Sequence, residues 1–317
     1  MRFNKLDLNL LVLLDALLAT RSVSKAAEQV FLSQPAASLA LGRLREYFGD
    51  ELLVPVGRSM VLTPMAIELA QPVREVLLQL QTITRARPDF DPGSSTRRFT
   101  IESSDYVISV LLSEVVRRAA TLAPHMQFDV RALSPQSPEN LVNGVCEFLI
   151  NPDFAAVAGH PSVALFEDSF SCLVARGRAA WRAGLDSRRY FEAGHVGVEW
   201  GGGRRVTFDT RIVAASKHTR RQDVIAPNFT LVPELLADTD RIATLPTRLA
   251  HRLARHFAVD VLPCPIRIPH FTEHIHWHRY QERDPALVWL RELILDVARG
   301  LPTEPAPAVA ARRRRAR

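Results

Sequence analysis

The hydrophobic periodicity of the chain changes once, at the segment RARPDFDPGSSTRR, which spans residues 85–98. Before this segment, apolar residues recur every three or four positions, which is the spacing of amphipathic helices. After it, short apolar runs alternate with helical patterns, which is typical of a mostly parallel, doubly wound sheet. The segment itself is rich in Pro, Asp, Ser and Arg. We therefore expect a linker between a helical part and an α/β part.

The helical part has the order of elements found in a winged helix-turn-helix. Residues 6–18 and 22–30 carry apolar residues at helical spacing. A third helix opens at Gln34-Pro35, because proline is tolerated in a first turn, where its missing N–H would be unpaired anyway. The hairpin-like segment ELLVPVGRSMVLT follows. Three short helices and a hairpin in this order are typical of a DNA-binding domain.

The third helix admits two interpretations. Ala37, Leu41, Leu44 and Phe48 define a buried stripe, as in any packed helix. A glutamine can pair with adenine, a proline can touch a thymine methyl group and serines can hold phosphates, as in a helix that enters a major groove. The candidate DNA contacts are Ser33, Gln34, Pro35, Ser38 and, at the hairpin tip, Arg58. Spacing alone leaves both interpretations open.

From Pro64 onward, a heptad pattern predicts a long helix with one apolar seam. Such a seam favours a partner helix and hence a dimer, although Pro72 should disturb the helix locally. The alternative is a helix that packs on its own domain. The seam consists of Ala66, Leu69, Val73, Val76, Leu80 and Ile83.

Two clusters in the α/β part are candidate ligand sites. Ser103, Ser104 and Asp105 follow the first predicted strand, where doubly wound sheets bind ligands, although these residues can also cap the next helix. His274, His276 and His278 alternate, so they would share one face of a strand. Because no cysteine or carboxylate pair completes a ligand set, we expect pocket or surface histidines rather than a metal site.

Composition excludes several classes of protein. The three cysteines fit no disulfide or metal framework. No apolar run reaches the length of a membrane span, and no signal peptide is recognisable, so a cytoplasmic location is expected. The excess positive charge lies in a terminal arginine cluster, residues 312–317, after a Pro/Ala-rich stretch. GGGRR at 201–205 matches no phosphate-binding motif, and no catalytic motif is present. We expect neither an enzyme nor a cofactor.

The segment SVSKAAEQVFLSQPAASLALGRLREYFGDELLVPVGRSMVLTP resembles the signature of LysR-type transcriptional regulators. GHVGVEW, DRIATLP and WHRYQERDPALVWLREL extend the resemblance over most of the chain. The similarity is to the subgroup that contains the nodulation protein D regulators and the regulators of nitrotoluene, naphthalene/salicylate and chlorinated-aromatic degradation.

The resemblance implies an α+β multidomain fold. An N-terminal winged helix-turn-helix (1–63) would be followed by a dimerising linker helix (64–87) and a hinge (88–96). A two-lobed α/β effector domain like the periplasmic binding proteins would take residues 97–300. Its first lobe would comprise 97–165 and 266–300, and its second 166–265. Residues 301–317 would form a disordered tail.

The resemblance also implies roles for individual residues. The DNA-binding residues would be Ser33, Gln34, Pro35, Ser38, Arg43 and Arg58. The effector-binding residues would be Ser103, Ser104, Asp105, Asp168, Glu199, Trp200, Phe229 and His276. Leu39 and Ala40 stand where many members carry polar or basic residues, so base reading would depend on Gln34, Pro35 and DNA shape. Acidic side chains in the pocket would suit a phenolic hydroxyl better than a carboxylate.

The function expected from this resemblance is transcriptional activation by a dimer of dimers. Its partners would be promoter DNA, a small aromatic effector and RNA polymerase, and its targets an aromatic-degradation operon. A flavonoid-responsive nodulation-type regulator is the first alternative. A non-regulatory two-lobed binding protein is the second, although it would not need the N-terminal helices.

Overall fold

The computed structural model describes residues 2–3, 6–57, 59–85, 90–200, 205–206 and 219–302. The chain folds as two compact units, Met1–Pro88 and Asp89–Arg317. Their boundary falls inside the segment that sequence periodicity marks as a linker.

The N-terminal unit is mainly helical and ends in a long helix. Its elements are β1 (Arg2–Phe3), β2 (Leu6–Asp7), α1 (Asn9–Thr20), α2 (Val23–Gln29), α3 (Gln34–Phe48), β3 (Leu53–Val56), β4 (Ser59–Leu62) and α4 (Pro64–Arg85). β3 and β4 form an antiparallel hairpin in which Leu53 pairs with Leu62. The predicted three helices and hairpin are present at the expected positions.

Local capping explains where the second and third helices begin and end. The Ser22 hydroxyl accepts a hydrogen bond from the backbone N–H of Lys25, and that of Ser33 accepts one from Ala36, each at 3.4 Å. Pro35 occupies the first turn of α3, and Gly49 ends the helix in a left-handed conformation with φ of 63°. A left-handed residue at this position favours glycine because it has no Cβ.

The core of this unit lies between α1, α2, α3 and the start of α4. On α3 the buried residues are Ala37, Leu41 and Leu44, with Phe48 partly buried beside them. The predicted buried stripe of α3 is therefore confirmed. The opposite face of the helix remains exposed to solvent.

The C-terminal unit contains the remaining described elements. They are β5 (Arg98–Ser103), α5 (Asp105–Val107), the π-helical segment Ile108–Leu112, α6 (Ser113–Leu122), β6 (Gln127–Ala132), α7 (Ser137–Val142), β7 (Phe148–Pro152), β8 (Ser162–Asp168), β9 (Phe170–Ala175), α8 (Ser187–Glu192), β10 (Gly194–Trp200), β11 (Arg205–Val206), β12 (Arg221–Ala226), α9 (Val232–Leu236), β13 (Ile242–Pro246), α10 (Thr247–Ala254), β14 (Val259–Pro263), β15 (Phe271–Trp277) and α11 (Pro285–Arg299). Single 3₁₀ turns lie at Asp153–Ala155, Ala179–Trp181 and Arg279–Gln281. The sequence also predicts a helix near residues 206–215, and residues 207–215 of that segment lie outside the described residues.

Two sheets divide this unit into two lobes. In lobe I the strand order is β6-β5-β7-β15-β8, and in lobe II it is β11-β10-β13-β9-β14 with β12 paired to β10. The chain crosses between the sheets at Ser169, because β8 runs to Asp168 through its pairing with β15. This crossing lies beyond the boundary at 165/166 expected from the resemblance. The return crossing lies between Pro263 and Phe271.

Both sheets are mixed, which corrects the expectation of mostly parallel sheets. β15 is antiparallel to β7 and β8, and β9 is antiparallel to β13 and β14. The alternation pattern missed β8 and β14, and each lies at the edge of its sheet. Most of β8 is solvent-exposed or half-buried, as is common for a strand at the edge of a sheet.

The two faces of α3 give a direct test of the N-terminal core. Leu44 is fully buried, whereas Leu39 is 71% exposed. We expect Leu44→Ala to lower the local opening free energy of α3 by about 2–5 kcal/mol, because it leaves a cavity in the core. Leu39→Ala, the same chemical change on the opposite face, should alter it by less than about 0.5 kcal/mol.

Hydrogen-exchange mass spectrometry of α3 peptides measures both effects. Peptides from β15 in the other unit serve as the internal reference. Equal acceleration of exchange in the two variants would show that the buried stripe is misassigned.

Candidate DNA interface and effector site

The exposed face of α3 carries the predicted polar DNA contacts. Gln34, Pro35 and Ser38 are exposed, and Ser33 caps the helix with its hydroxyl. Gln34 and Ser38 lie one turn apart on the helix, and both side chains are exposed. The arrangement offers hydrogen-bonding groups at the N-terminal end of the helix.

Large exposed apolar side chains lie near these polar groups. The spacing of residues in the sequence does not identify them. Phe31 is 94% exposed and adopts a left-handed φ of 57° in the turn between α2 and α3. Leu39 is also largely exposed. Gly42 lies one turn beyond Ser38, and a Cβ added there would meet nothing within 4 Å. The packing of the unit therefore does not require glycine at this position.

The arginines of α3 and of the hairpin differ in their surroundings. The Arg45 guanidinium donates to the carbonyl oxygens of Glu51 and Leu53 at 2.9 and 3.0 Å, so it ties α3 to the hairpin. Arg43 is exposed, and its guanidinium group makes no hydrogen bond or ion pair with a residue that the structure describes. Arg58 lies outside the described residues.

The predicted dimerisation seam of α4 divides into two parts. Ala66 and Val73 are buried in the core of their own unit, and Leu69 packs partly against it. The expectation of a continuous intermolecular seam is therefore wrong for these residues, because they pack against α1 of the same chain. Val76 and Ile83 are exposed, and Leu80 is half-buried. The C-terminal half of α4 thus retains an apolar surface.

In the C-terminal unit, the topology brings the predicted effector residues to facing sheet edges. β5, β7 and β8 all end at the edge of lobe I where β15 begins. β10, β12 and β13 end at the edge of lobe II where β9 begins. The crossing at Ser169 joins the two edges. Ligands bind at the carboxyl ends of strands in α/β sheets, and we call this region the strand-edge site.

Seven of the eight predicted effector residues map to these edges, and His276 does not. His276 pairs with Ser162 at the start of β8, whereas Asp168 ends that strand. Six strand residues separate the two levels by roughly 20 Å. The period-two pattern correctly placed His274 and His276 on one strand, but the pairing register, which spacing cannot show, puts His276 at the far end. Burial and the nearby His274 and His160 lower the pKa of His276 to about 4.

Asp168 is fully buried and joins the lobes. Its carboxylate accepts a hydrogen bond from the Tyr106 hydroxyl in lobe I. It also accepts from the backbone N–H of Ser169 at 2.8 Å and from that of Arg248, near the start of α10 in lobe II, at 3.4 Å. A carboxylate at a helix N-terminus is stabilised by the helix dipole. Asp168 is therefore bound within the protein rather than open to a ligand.

Asp105 makes a second connection between the lobes. Its Oδ2 accepts a hydrogen bond from the backbone N–H of Thr230 in lobe II at 2.8 Å. Its Oδ1 is buried and has no hydrogen-bond partner among the described residues. Ser104 caps α5 by accepting from the N–H of Val107 at 3.2 Å. The capping interpretation of Ser104 is thus correct, while Asp105 keeps one oxygen for another partner.

Glu273 was missed by the sequence patterns and lies at the same edge. Its side chain is buried on β15, and burial, followed by the charges of Asp168 and Asp153, raises its pKa to about 8. Its Oε2 and the hydroxyl of Ser103 lack partners within the described part of the chain. A buried polar group without a partner is costly, so these atoms mark a place for a hydrogen-bonding ligand or water.

The remaining predicted residues occupy the edge of lobe II. Glu199 is half-buried near the end of β10, and Phe229 is buried in the core after β12. The backbone of Trp200 ends β10, and its side chain lies outside the described residues. Within the described ranges, no group of three His, Cys, Asp or Glu side chains is placed to hold a metal ion. No described helix is long and apolar enough to span a membrane.

Comparison with known families agrees with both units. Residues 8–66 match the family described as bacterial regulatory helix-turn-helix protein, lysR family. Residues 92–299 match the LysR substrate binding domain. The chain belongs to the LysR family of transcriptional regulators. Such regulators bind promoter DNA and small-molecule effectors and form oligomers, and the relatives and structural neighbours of this chain are regulators rather than enzymes.

Relatives match nearly the whole chain. Nodulation protein D 1 of Bradyrhizobium sp. (strain NC92) is 38% identical over 298 residues, which cover 94% of this chain and 95% of that protein. Nodulation protein D 2 of Rhizobium tropici is 41% identical over 298 residues, with the same coverage of both chains. The structure of a full-length OxyR variant from Pseudomonas aeruginosa covers 95% of this chain and 99% of its own, with a TM-score of 0.71. At 19% identity, that likeness shows the fold alone.

The buried carboxyl group of Glu273 predicts a specific pH dependence of stability. Its pKa is about 8 in the folded protein, against an ordinary value of 4.5. Between these values the folded state holds a proton that the unfolded state lacks, so this group makes stability fall as pH rises. The shift corresponds to roughly 5 kcal/mol across that range. In the Glu273→Gln variant, the free energy of unfolding should therefore fall less steeply as the pH rises.

Urea unfolding at pH 5 and pH 8 measures this difference for both proteins. Glu46→Gln, an exposed change in the N-terminal unit, is the control and should retain the wild-type decline. An unchanged slope in Glu273→Gln would mean that Glu273 is not held neutral by burial.

Proposed function

We propose that this LysR-type regulator activates transcription in response to a small polyhydroxylated aromatic molecule of the flavonoid kind. The observation that carries this proposal is a set of buried polar atoms at the strand-edge site that have no hydrogen-bond partner among the described residues: Ser103 Oγ, Asp105 Oδ1 and Glu273 Oε2. The relatives named nodulation protein D favour this alternative over control of an aromatic-degradation operon. A protein that acts on promoters works in the compartment that holds the DNA, hence the cytoplasm.

The exposed end of α3 is the part of the N-terminal unit that reads DNA. Gln34 and Ser38 supply hydrogen bonds, and Pro35 and Leu39 supply apolar contacts to thymine methyl groups. A glycine inside an exposed helix costs about 1 kcal/mol relative to alanine. A Cβ at Gly42 would meet nothing within 4 Å, so packing does not explain why a glycine stands there. Close approach of the DNA to the helix would explain it, because a side chain at this position would hold the DNA away.

Gln34 is the residue that reads a base by hydrogen bonding. We expect Gln34→Ala to weaken binding to the specific site by about 1–3 kcal/mol, since a bidentate contact to adenine would be lost. Binding to DNA of random sequence should change little, because phosphate contacts dominate there. The specific site is first selected in vitro from a random library with the wild-type protein, and affinities are then measured at fixed salt.

Gln127→Ala is the matched control, because Gln127 is an exposed glutamine in the other unit. It should leave both affinities unchanged. Equal losses on specific and random DNA for Gln34→Ala would show that Gln34 does not read bases.

Oligomerisation follows from the apolar surface that α4 retains. Val76 and Ile83 are one heptad apart and exposed, which is the spacing of a coiled-coil seam. Two copies paired through this half of α4 would present two α3 helices to an inverted repeat. A dimer of dimers, which recruits RNA polymerase when the effector binds, completes the proposed assembly.

The polar atoms of the strand-edge site suit a phenolic ligand. Asp105 Oδ1 is a carboxyl oxygen that accepts hydrogen bonds, so it calls for a hydroxyl donor. Ser103 can donate or accept, and Glu273, neutral below its raised pKa, can donate. A molecule with several separated hydroxyl groups satisfies all three, whereas a simple carboxylate would face the charge of Asp105.

The effector hypothesis is tested with naringenin as the flavonoid probe and the full chain. We expect naringenin to raise the melting temperature, and Ser103→Ala to weaken its binding about tenfold through one lost buried hydrogen bond. Ser162→Ala should bind normally, because Ser162 is exposed at the opposite end of the same sheet.

A footprint on the selected DNA site, with and without naringenin, provides the functional readout. A changed footprint supports regulation, whereas binding without any change in the footprint would favour the non-regulatory binding protein. Binding of 2-chlorophenol but not naringenin would restore the aromatic-degradation alternative.

A further inference from the structure

A cavity lies between the lobes, apart from the strand-edge site. Its volume is about 450 Å³, within the range of small-molecule pockets. One wall is cationic and the other apolar. The cavity is lined by Val110, Arg248, His251, Arg252, Ala254, Arg255, Leu301 and Pro302. None of these residues belongs to the strand-edge site, and none is acidic.

The cationic wall comes from α10 and the residue that follows it. The Arg248 guanidinium is held in place, since it donates to the carbonyl oxygens of Pro302 at 2.5 Å and Glu167 at 3.3 Å. Arg252 is half-buried and Arg255 exposed, and neither guanidinium group makes an ion pair or hydrogen bond with any residue in the described ranges. Two guanidinium groups thus remain without an anion beside a concave surface.

The apolar wall joins the cavity to lobe I. Val110 lies in the π-helical segment Ile108–Leu112, which interrupts the helix that begins at Asp105. Leu301 and Pro302 follow α11. Segments of π-helix within α-helices frequently occur at functional sites. A ligand in this cavity would therefore contact elements of both lobes.

We propose that this cavity binds a small aromatic carboxylate. Arginine binds carboxylates through paired, charge-assisted hydrogen bonds, and Val110, Ala254 and Leu301 provide a surface for a ring. A phosphodiester chain fits less well, because a concave site with an apolar wall cannot follow a nucleic-acid backbone. Since α10 also holds Asp168 through the Arg248 N–H, occupancy of the cavity is coupled to the crossing between the lobes.

Calorimetric titration of the full chain with benzoate tests this proposal. The double variant Arg252→Gln/Arg255→Gln should weaken benzoate binding at least about tenfold, because both charge-assisted contacts are lost. Arg267→Gln removes the same charge at an exposed position elsewhere and should bind benzoate like the wild type. Surface substitutions of this kind should leave the melting temperature nearly unchanged.

Ser103→Ala separates this site from the strand-edge site and should not alter benzoate affinity. If Ser103→Ala weakens benzoate binding, the carboxylate binds at the strand edge and the second site is disproved. Equal weakening by Arg267→Gln, unchanged affinity of the double variant, or no binding up to about 10 mM would each overturn the proposal. Naringenin binding, measured in parallel, reports on the effector hypothesis independently.

Discussion

The carboxylate of Asp168 is the interaction on which the two-lobed unit depends. It lies where the chain first crosses between the sheets, and it accepts hydrogen bonds from Tyr106 of lobe I and from the N-terminus of α10 in lobe II. Burial and the charges of Asp168 and Glu273 raise the pKa of the Tyr106 phenol well above its ordinary value, so the hydroxyl keeps the proton that it donates. A buried carboxylate that lost these donors would be left unpaired, and that is among the costliest changes in a protein interior.

This use of Asp168 determines which residues remain for an effector. The carboxylate of Asp168, which the family resemblance assigns to the ligand, is already hydrogen-bonded within the protein. In the proposed effector site, hydrogen bonding to a ligand would therefore fall to Ser103, Asp105 and Glu273. Asp105 has one oxygen on the Thr230 N–H of lobe II and the other without a described partner. A ligand bound to Asp105 Oδ1 would either weaken or strengthen the hydrogen bond between Asp105 Oδ2 and the Thr230 N–H. An effector can shift the lobes only if it binds one arrangement better than another, and Asp105 is placed to provide that difference.

The sequence predicts much of this structure, and the failures have physical causes. Periodicity located the helices of the N-terminal unit and the buried stripe of α3, because these depend on local spacing. It missed β8 and β14, which lie at the edges of their sheets, where most of their residues are exposed or half-buried. It overlooked Glu273, and the family resemblance assigned His276 to the effector site, because neither shows the strand register that decides which end of β15 meets the cleft. For Ala66 and Val73, a heptad pattern cannot show whether the covering helix belongs to the same chain, and here α1 covers them.

The exposed surface of α3 also explains why assembly matters for this regulator. Specific binding must exceed non-specific binding by about 4–10 kcal/mol, while one bidentate base contact discriminates by about 1–3 kcal/mol. On α3 a single glutamine, Gln34, can make such a contact, and its neighbours Pro35, Leu39 and Gly42 offer only shape and methyl contacts. One protomer therefore falls short of the required specificity. Four copies of α3 on one promoter reach that range, so the proposed dimer of dimers compensates for a recognition helix with few polar groups.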